Sequence, residues 1–148
     1  MAIDLVSFQL AANRQELCRL GTIMKELGQK YALLPKDAFE LRLVLDELIT
    51  NIIDYGCADG TEHFIRVSLG FEPGFVSVSV EDDGCFFDPT CAPTPDTACS
   101  LEQRKIGGLG IHFMRNMVDE IRYERKGTIN VLRMKKALAV PCTDKKEE

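Results

Sequence analysis

The chain has 148 residues, of which 45% are hydrophobic and 28% are charged, an ordinary composition for a single globular domain. Its formal net charge of −5 argues against a protein that binds nucleic acid through a broad basic face. No apolar run reaches the roughly 18 residues of a membrane span, and no signal peptide is visible. We therefore expect one cytoplasmic domain over residues 1–148, without a membrane or a nucleic acid as its partner.

Six cysteines and two histidines raise the question of a metal site. No two cysteines have the C-x-x-C spacing that is typical of zinc ligands, so free thiols in a reducing compartment are the expected state. Cys85, Cys91 and Cys99 surround a long loop, which leaves a redox role as the alternative.

The first part of the chain predicts a strand followed by two helices. Residues 4–11 alternate between apolar and polar side chains, as in a half-buried strand. Asn13, with Glu16 three residues later, is typical of a helix N-terminus. Pro35 fits the first turn of a second helix that runs to about residue 54. The interior of this second helix is so apolar that we expect it to be covered on most sides.

The middle of the chain predicts a hairpin and then a loop. Residues 63–71 and 75–81 are rich in strand formers, and Pro73-Gly74 between them suits a type II turn, so antiparallel pairing is expected. Residues 89–105 contain three prolines and little apolar periodicity. Because structureless loops of this length are uncommon without a function, they are interpreted as a lid.

The last part predicts a helix over 110–118 and strands over 120–125 and 128–134. Helices and mostly antiparallel strands that are segregated along the chain predict an α+β fold, a two-layer sandwich with the helices on one face of the sheet.

Glu47 and Asn51 are four residues apart, so they lie one turn apart on the same face of the second predicted helix. The amide oxygen of Asn51 suits a hard cation such as Mg²⁺, which prefers oxygen ligands. The carboxylate of Glu47 can orient or deprotonate an attacking hydroxyl group. The alternative is that both side chains belong to a solvated helix surface.

Asp82 ends a predicted strand and is followed by Asp83 and Gly84. An ionised carboxylate only accepts hydrogen bonds, so it can recognise an exocyclic amino group such as that of adenine. Guanine presents a carbonyl group at the corresponding place, which would face another acceptor. The alternative is an ordinary turn, which Asp-Asp-Gly also favours.

A cluster of glycines, Gly107, Gly108 and Gly110, precedes the helix predicted at 110–118. Free N–H groups and the helix dipole at such a position favour phosphate oxygens. Arg104 and Lys105 lie just upstream and add cations that can approach the phosphates. A glycine cluster before a helix is a weak signal by itself.

Three segments taken together resemble the GHKL ATPase superfamily, and most closely the bacterial anti-sigma-factor serine/threonine kinases. The similarity extends from about residue 4 to residue 136. Its motifs are the helical segment 47–56, the first glycine box at 80–89 and the second at 107–123.

The resemblance implies a Bergerat fold that binds Mg²⁺ and ATP. It implies Glu47 as general base, Asn51 as the Mg²⁺ ligand, Asp82 as the adenine-reading acid, and Gly108 and Gly110 as phosphate-loop glycines. It further implies phosphorylation of a serine on a STAS-domain anti-anti-sigma protein, binding of a sigma factor in the alternative complex, and a homodimer.

Two residues depart from the family pattern. Phe86 stands where the first glycine box has its second glycine, and Tyr55 stands where a histidine is often found. Phe86 favours an alternative function, a non-catalytic anti-sigma module that holds ATP or no nucleotide, whereas Glu47 and Asn51 favour the kinase. An ATP-hydrolysing GHKL fragment would need a transducer domain that 148 residues do not provide.

Overall fold

The computed structural model describes residues 4–57, 60–86, 88 and 116–139. In these ranges the chain forms five strands, two α-helices and one π-helix. Their bounds are β1 Asp4–Ala11, α1 Glu16–Lys30, α2 Pro35–Asn51, the π-helix Ile52–Gly56, β2 Phe64–Glu72, β3 Phe75–Asp82, β4 Glu120–Lys126 and β5 Ile129–Ala137.

The strands form one sheet in the order β1-β2-β3-β5-β4, and each neighbouring pair is antiparallel. The predicted hairpin between β2 and β3 is confirmed, with Glu72 opposite Phe75 across the turn. Gly74 has a φ of 90°, which a type II turn requires at its third position. The sequence predicted a mostly antiparallel sheet, and its described part is antiparallel throughout.

The hydrophobic core lies between one face of this sheet and the two α-helices. Alternate residues of β2, including Ile65, Val67 and Leu69, are fully buried on that face. From α2, Leu45 and Leu48 pack into the same cluster. The predicted two-layer sandwich is confirmed, as is the expectation that the apolar second helix is largely covered. Within the described segments, no helix is long and apolar enough to cross a bilayer.

The start of α1 differs in detail from the predicted cap. Asn13 Oδ1 accepts a hydrogen bond from the Glu16 backbone N–H at 3.2 Å, as expected. In a capping box the Glu16 side chain would in turn accept a hydrogen bond from the Asn13 backbone N–H. Here Glu16 Oε1 accepts instead from the backbone N–H of Ala11 at 3.0 Å. Glu16 therefore ties the helix to the end of β1.

The second helix ends differently from the prediction, which extended it as one helix to about residue 54. The α-helix stops at Asn51 and continues as a π-helix over Ile52–Gly56. Its wider turn is closed by the Cys57 N–H, which donates to the Ile52 carbonyl at 2.9 Å. Turns of this kind occur frequently at functional sites.

The end of the π-helix packs directly against the loop after β3. The Cys85 N–H donates to the Gly56 carbonyl at 2.7 Å. A Cβ atom on Gly84 would lie 2.3 Å from that same carbonyl oxygen and 2.9 Å from Cys57 Sγ. Only a glycine at position 84 permits this approach, which fixes the loop against the helix.

We expect Gly84→Ala to destabilise the protein by about 1–3 kcal/mol, because the new methyl group meets backbone that cannot rotate away. The matched control is Gly28→Ala in α1, where a Cβ would lie 3.7 Å from that of Ala38, an ordinary contact. That change should be neutral or raise the free energy of unfolding by up to about 1 kcal/mol. Urea titration of both variants tests this, and equal free energies would contradict it.

Candidate functional site

The contact between Gly56 and Gly84 brings the end of α2 and the end of β3 to the same end of the sheet. A Cβ atom on Gly56 would lie 4.0 Å from Asp82 Oδ1. The helical segment that carries Asn51 and the loop that follows Asp82 are therefore neighbours in the structure. The prediction that they contribute to one site is consistent with this placement.

Asn51 has no exposed surface, so for this residue the solvated-surface alternative is wrong. Neither its Oδ1 nor its Nδ2 atom has a hydrogen-bond partner among the described residues. Leaving a buried polar group unpaired costs about 1–3 kcal/mol. An amide oxygen that is buried and unsatisfied in this way fits the predicted role of cation ligand.

Glu47 is half-buried on α2, one turn before Asn51. Burial raises the pKa of its carboxyl group, and the charge of the neighbouring Asp46 raises it further. Asp46 itself forms an ion pair with Arg42 at 2.9 Å. A carboxylate with a raised pKa holds a proton more readily, which is the property that a general base needs.

Asp82 is 3% exposed although it carries a carboxylate. Its Oδ1 atom accepts hydrogen bonds from the Gly84 backbone N–H at 2.9 Å and from Asn130 Nδ2 at 3.0 Å. Burial raises the pKa of Asp82, and these two hydrogen bonds act in the opposite direction. The bond to Gly84 is typical turn chemistry, so the turn and the ligand-reading interpretations of this segment are compatible.

The adjacent acid, Asp83, makes its hydrogen bonds with other residues than Asp82 does. Its Oδ1 atom lies 3.1 Å from His63 Nδ1 and accepts from the backbone N–H of Phe64 at 3.0 Å. Asp83 thus secures the start of β2. Of the two consecutive acids, Asp82 is the one that is buried beside the π-helix.

Three residues of this end of the sheet were not identified from the sequence: Tyr123, Arg125 and Asn130. Asn130 lies opposite Asp82 in the pairing of β3 with β5. Its Oδ1 atom accepts from the Tyr123 hydroxyl group and, at 2.9 Å, from Arg125 Nη1. Their signal in the sequence is weak, namely polar side chains at the inward positions of two predicted strands.

Phe86 is 64% exposed and contacts the ring of Tyr123 edge-on, with the ring centroids 5.7 Å apart. The aromatic residue at the place of the motif glycine therefore connects the loop to β4. The non-catalytic alternative function that Phe86 favours stays a prediction. Tyr55, the second departure from the motif, lies exposed on the π-helix.

The remaining predicted site residues, Arg104, Lys105, Gly107, Gly108 and Gly110, lie outside the described residues, as does the lid at 89–105. Cys91 and Cys99 also lie outside them, whereas Cys18, Cys57 and Cys85 form no disulfide with one another. In the described ranges no group of three or more histidines, cysteines or acids converges to hold a metal. A Mg²⁺ ion held by one amide oxygen together with phosphate oxygens does not require such a group.

Comparison with known proteins matches most of the chain to one protein family. The family described as histidine kinase-like ATPase domain matches residues 10–136. The chain is 33% identical over 94 residues to the serine/threonine-protein kinase BtrW of Bordetella bronchiseptica, covering 64% of this chain and 66% of that protein. It is 30% identical over 95 residues to an anti-sigma F factor of Geobacillus thermodenitrificans, covering 60% of this chain and 63% of that protein. The match thus spans slightly less than two thirds of either relative.

Among solved structures, the histidine kinase domain of a blue-light activated histidine kinase from Erythrobacter litoralis is similar in fold. The TM-score is 0.52 at 21% sequence identity, and the match covers 84% of this chain and 60% of that one. Because the family match covers residues 10–136, which is most of the chain, this protein belongs to the histidine kinase-like ATPase domain family.

Proposed function

We propose that this chain is an anti-sigma-factor-like kinase that binds Mg²⁺ and ATP, phosphorylates a serine of a STAS-domain anti-anti-sigma protein and binds a sigma factor. The observation that carries the proposal is the pair of buried polar groups at one end of the sheet, the carboxylate of Asp82 and the unsatisfied amide of Asn51. The names of the two relatives, a serine/threonine kinase and an anti-sigma factor, support the same activity.

Asp82 is proposed to read the adenine base. Its Oδ1 atom is occupied by two donors of the protein, and Oδ2 receives no hydrogen bond from the described residues. Oδ2 can therefore accept from the amino group of adenine, whereas the carbonyl group of guanine would meet an acceptor. Buried polar sites discriminate strongly against ligands that leave them unpaired.

Asn51 is proposed to hold Mg²⁺ through its Oδ1 atom, and to satisfy by this contact the amide that is otherwise unpaired. When bound, the cation offsets the negative charge of the phosphate oxygens. Outside the described residues, we propose that Gly107, Gly108 and Gly110 donate backbone N–H groups to the phosphates and that Arg104 and Lys105 add positive charge.

Glu47 is proposed to act as general base for transfer. Its carboxylate takes the proton of the serine hydroxyl group while the serine oxygen forms a bond to the γ-phosphorus atom. The bond between that phosphorus and the β–γ bridging oxygen breaks, and ADP leaves with the electron pair. The raised pKa of Glu47 suits it to hold this proton.

The proposal includes a homodimer, which the family resemblance implies, and a cytoplasmic location, where a sigma factor would be bound.

A second candidate is a non-catalytic anti-sigma module. It is favoured by Phe86, whose side chain packs on Tyr123 at the place of a flexible glycine. The two functions differ in phosphate transfer, since only the kinase labels a STAS protein from γ-labelled ATP.

We expect the protein to prefer ATP over GTP in the presence of Mg²⁺, and Asp82→Asn to weaken ATP binding by about 1–3 kcal/mol. In that variant the side-chain oxygen keeps the two internal donors, so the new NH₂ group faces the base. The preference for ATP should therefore shrink or reverse. Calorimetry with both nucleotides measures this.

The matched control is Asp83→Asn, which alters the contact with His63 and leaves the buried acid in place. Its ATP preference should equal that of the parent protein. Equal affinity of the parent protein for ATP and GTP would contradict the assignment of Asp82.

We expect Glu47→Gln to slow phosphate transfer by roughly 10²–10⁴ while ATP still binds, because the base is lost and the shape is kept. The raised pKa means that the native state binds the Glu47 proton more tightly than the unfolded chain does. Folding stability is therefore lost as pH rises through the native pKa of Glu47, because the buried carboxyl group must then ionise. Since glutamine does not ionise, the variant should be at least as stable as the parent at pH 7.

Asn51→Ala should instead abolish the Mg²⁺-dependent part of ATP binding, and Glu26→Gln, on the exposed face of α1, should change neither property. Labelled phosphate transfer, calorimetry with and without Mg²⁺ and thermal unfolding give the three readouts. Transfer at the parental rate in both site variants would exclude this helix face from catalysis.

A further inference from the structure

The side-chain amide of Asn130 is held in one orientation by its neighbours. Arg125 can only donate hydrogen bonds, and its Nη1 atom lies 2.9 Å from Asn130 Oδ1. The same oxygen accepts from the Tyr123 hydroxyl group. The oxygen of the amide must therefore point towards β4, and its NH₂ group must point the other way.

Both hydrogens of that NH₂ group are used inside the protein. Nδ2 donates to Asp82 Oδ1 at 3.0 Å and to the Cys85 carbonyl at 2.8 Å. Arg125 Nη1 also donates to the Gly84 carbonyl at 3.2 Å. The amide and the guanidinium group thus bind the loop that follows Asp82 as well as Asp82 itself.

The consequence for Asp82 is an unequal use of its two oxygens. Oδ1 accepts from the Gly84 N–H and from Asn130, and Oδ2 accepts from no described residue. If the Asn130 amide were flipped, its NH₂ group would face the donor Nη1 of Arg125. The amide is therefore held in the orientation in which Nδ2 donates a hydrogen bond to Asp82.

We infer that Asn130 is a positioning residue that keeps Asp82 ionised and turned with Oδ2 free to accept a hydrogen bond from the nucleotide base. This inference rests on the proposed nucleotide binding and adds a residue that sets its specificity. A hydrogen bond from Asn130 stabilises the charged form of the acid and not the protonated form. A protonated Asp82 would offer a donor and lose the selection for an amino group.

The other groups around Asp82 act on the same equilibrium. Burial and the charge of Asp83 raise the pKa of Asp82, while Asn130, the Gly84 N–H and the Arg125 guanidinium group lower it. The neighbour from the π-helix is Gly56, which carries no charge. Removing the Asn130 donor should therefore raise the pKa of Asp82 further.

The test uses Asn130→Leu in the full chain, with Leu132→Ala as control. Leu132 is buried on the same strand, so its truncation weakens packing without removing a donor from Asp82. The first readout is the ¹³C titration of the Asp82 carboxyl group in nucleotide-free protein. We expect its pKa to rise by about one unit or more in Asn130→Leu and to be unchanged in the control.

The second readout is the affinity for ATP with Mg²⁺ over a pH series that extends above and below the Asp82 pKa values found in the first readout. Affinity is lost as pH falls through the pKa of Asp82, and in Asn130→Leu this loss should begin at a pH about one unit higher, giving a roughly tenfold deficit below both pKa values. The deficit should shrink as pH rises above them. Inosine triphosphate, which lacks the amino group, should bind more weakly than ATP to the parent protein and approach it in the variant at low pH.

Asn130→Asp provides a second route if the leucine variant does not fold. Two carboxyl groups about 3 Å apart share a proton, so the pair formed by Asp82 and the new acid should titrate with one pKa well above that of Asp82 in the parent protein.

An unchanged Asp82 titration in both Asn130 variants would overturn the inference, as would a loss of ATP affinity that is equal at every pH and matches Leu132→Ala. If the parent protein binds no ATP, the proposed function fails, and the nucleotide-free titration still decides whether Asn130 controls Asp82.

Discussion

The arrangement of the site depends on the close approach of two backbone segments, at Gly56 and Gly84. A carbonyl oxygen at the end of the π-helix occupies the space where any other residue at position 84 would place its Cβ atom. This contact holds the loop after β3 against the helix that carries Asn51. Without it, the buried acid and the buried amide would not be fixed at the same end of the sheet.

The same end of the sheet concentrates buried polar groups that a stable core would avoid. Asn51, Asp82 and Asn130 are each at most 3% exposed. Asp82 and Asn130 satisfy each other, with help from Arg125, whereas Asn51 has no partner among the described residues. Proteins retain such local costs chiefly where function requires them, and here the cost falls on Asn51 and Asp82, which the sequence had already suggested as site residues.

The fold was predictable from the sequence because its signals are local and periodic. Alternation of apolar and polar residues identified β1. Two runs rich in strand formers, with Pro73-Gly74 between them, identified the hairpin of β2 and β3, and the apolar second helix was correctly placed as α2. The π-helix at Ile52–Gly56 was not predicted, because no local residue preference marks its wider turn, which packs against the loop at Gly84. Of the residues proposed for the site, Asp82 was selected from its sequence motif, whereas Asn130 was missed because its hydrogen-bond partner lies 48 positions away and is found only through strand register.

Nucleotide binding at the end of the sheet formed by Asn51, Asp82 and Asn130 can be measured by a nuclear magnetic resonance titration of the full chain with ATP, with and without Mg²⁺. We expect the signals of the Gly84 backbone N–H and the Asn130 side-chain amide to shift with ATP. The side-chain amide of Asn51 should shift only when Mg²⁺ is present, and Ser77, on the opposite sheet face, should be unaffected. Shifts confined to the face of Ser77, or none at Asn51, Gly84 and Asn130 at saturating ATP, would contradict nucleotide binding at this end of the sheet.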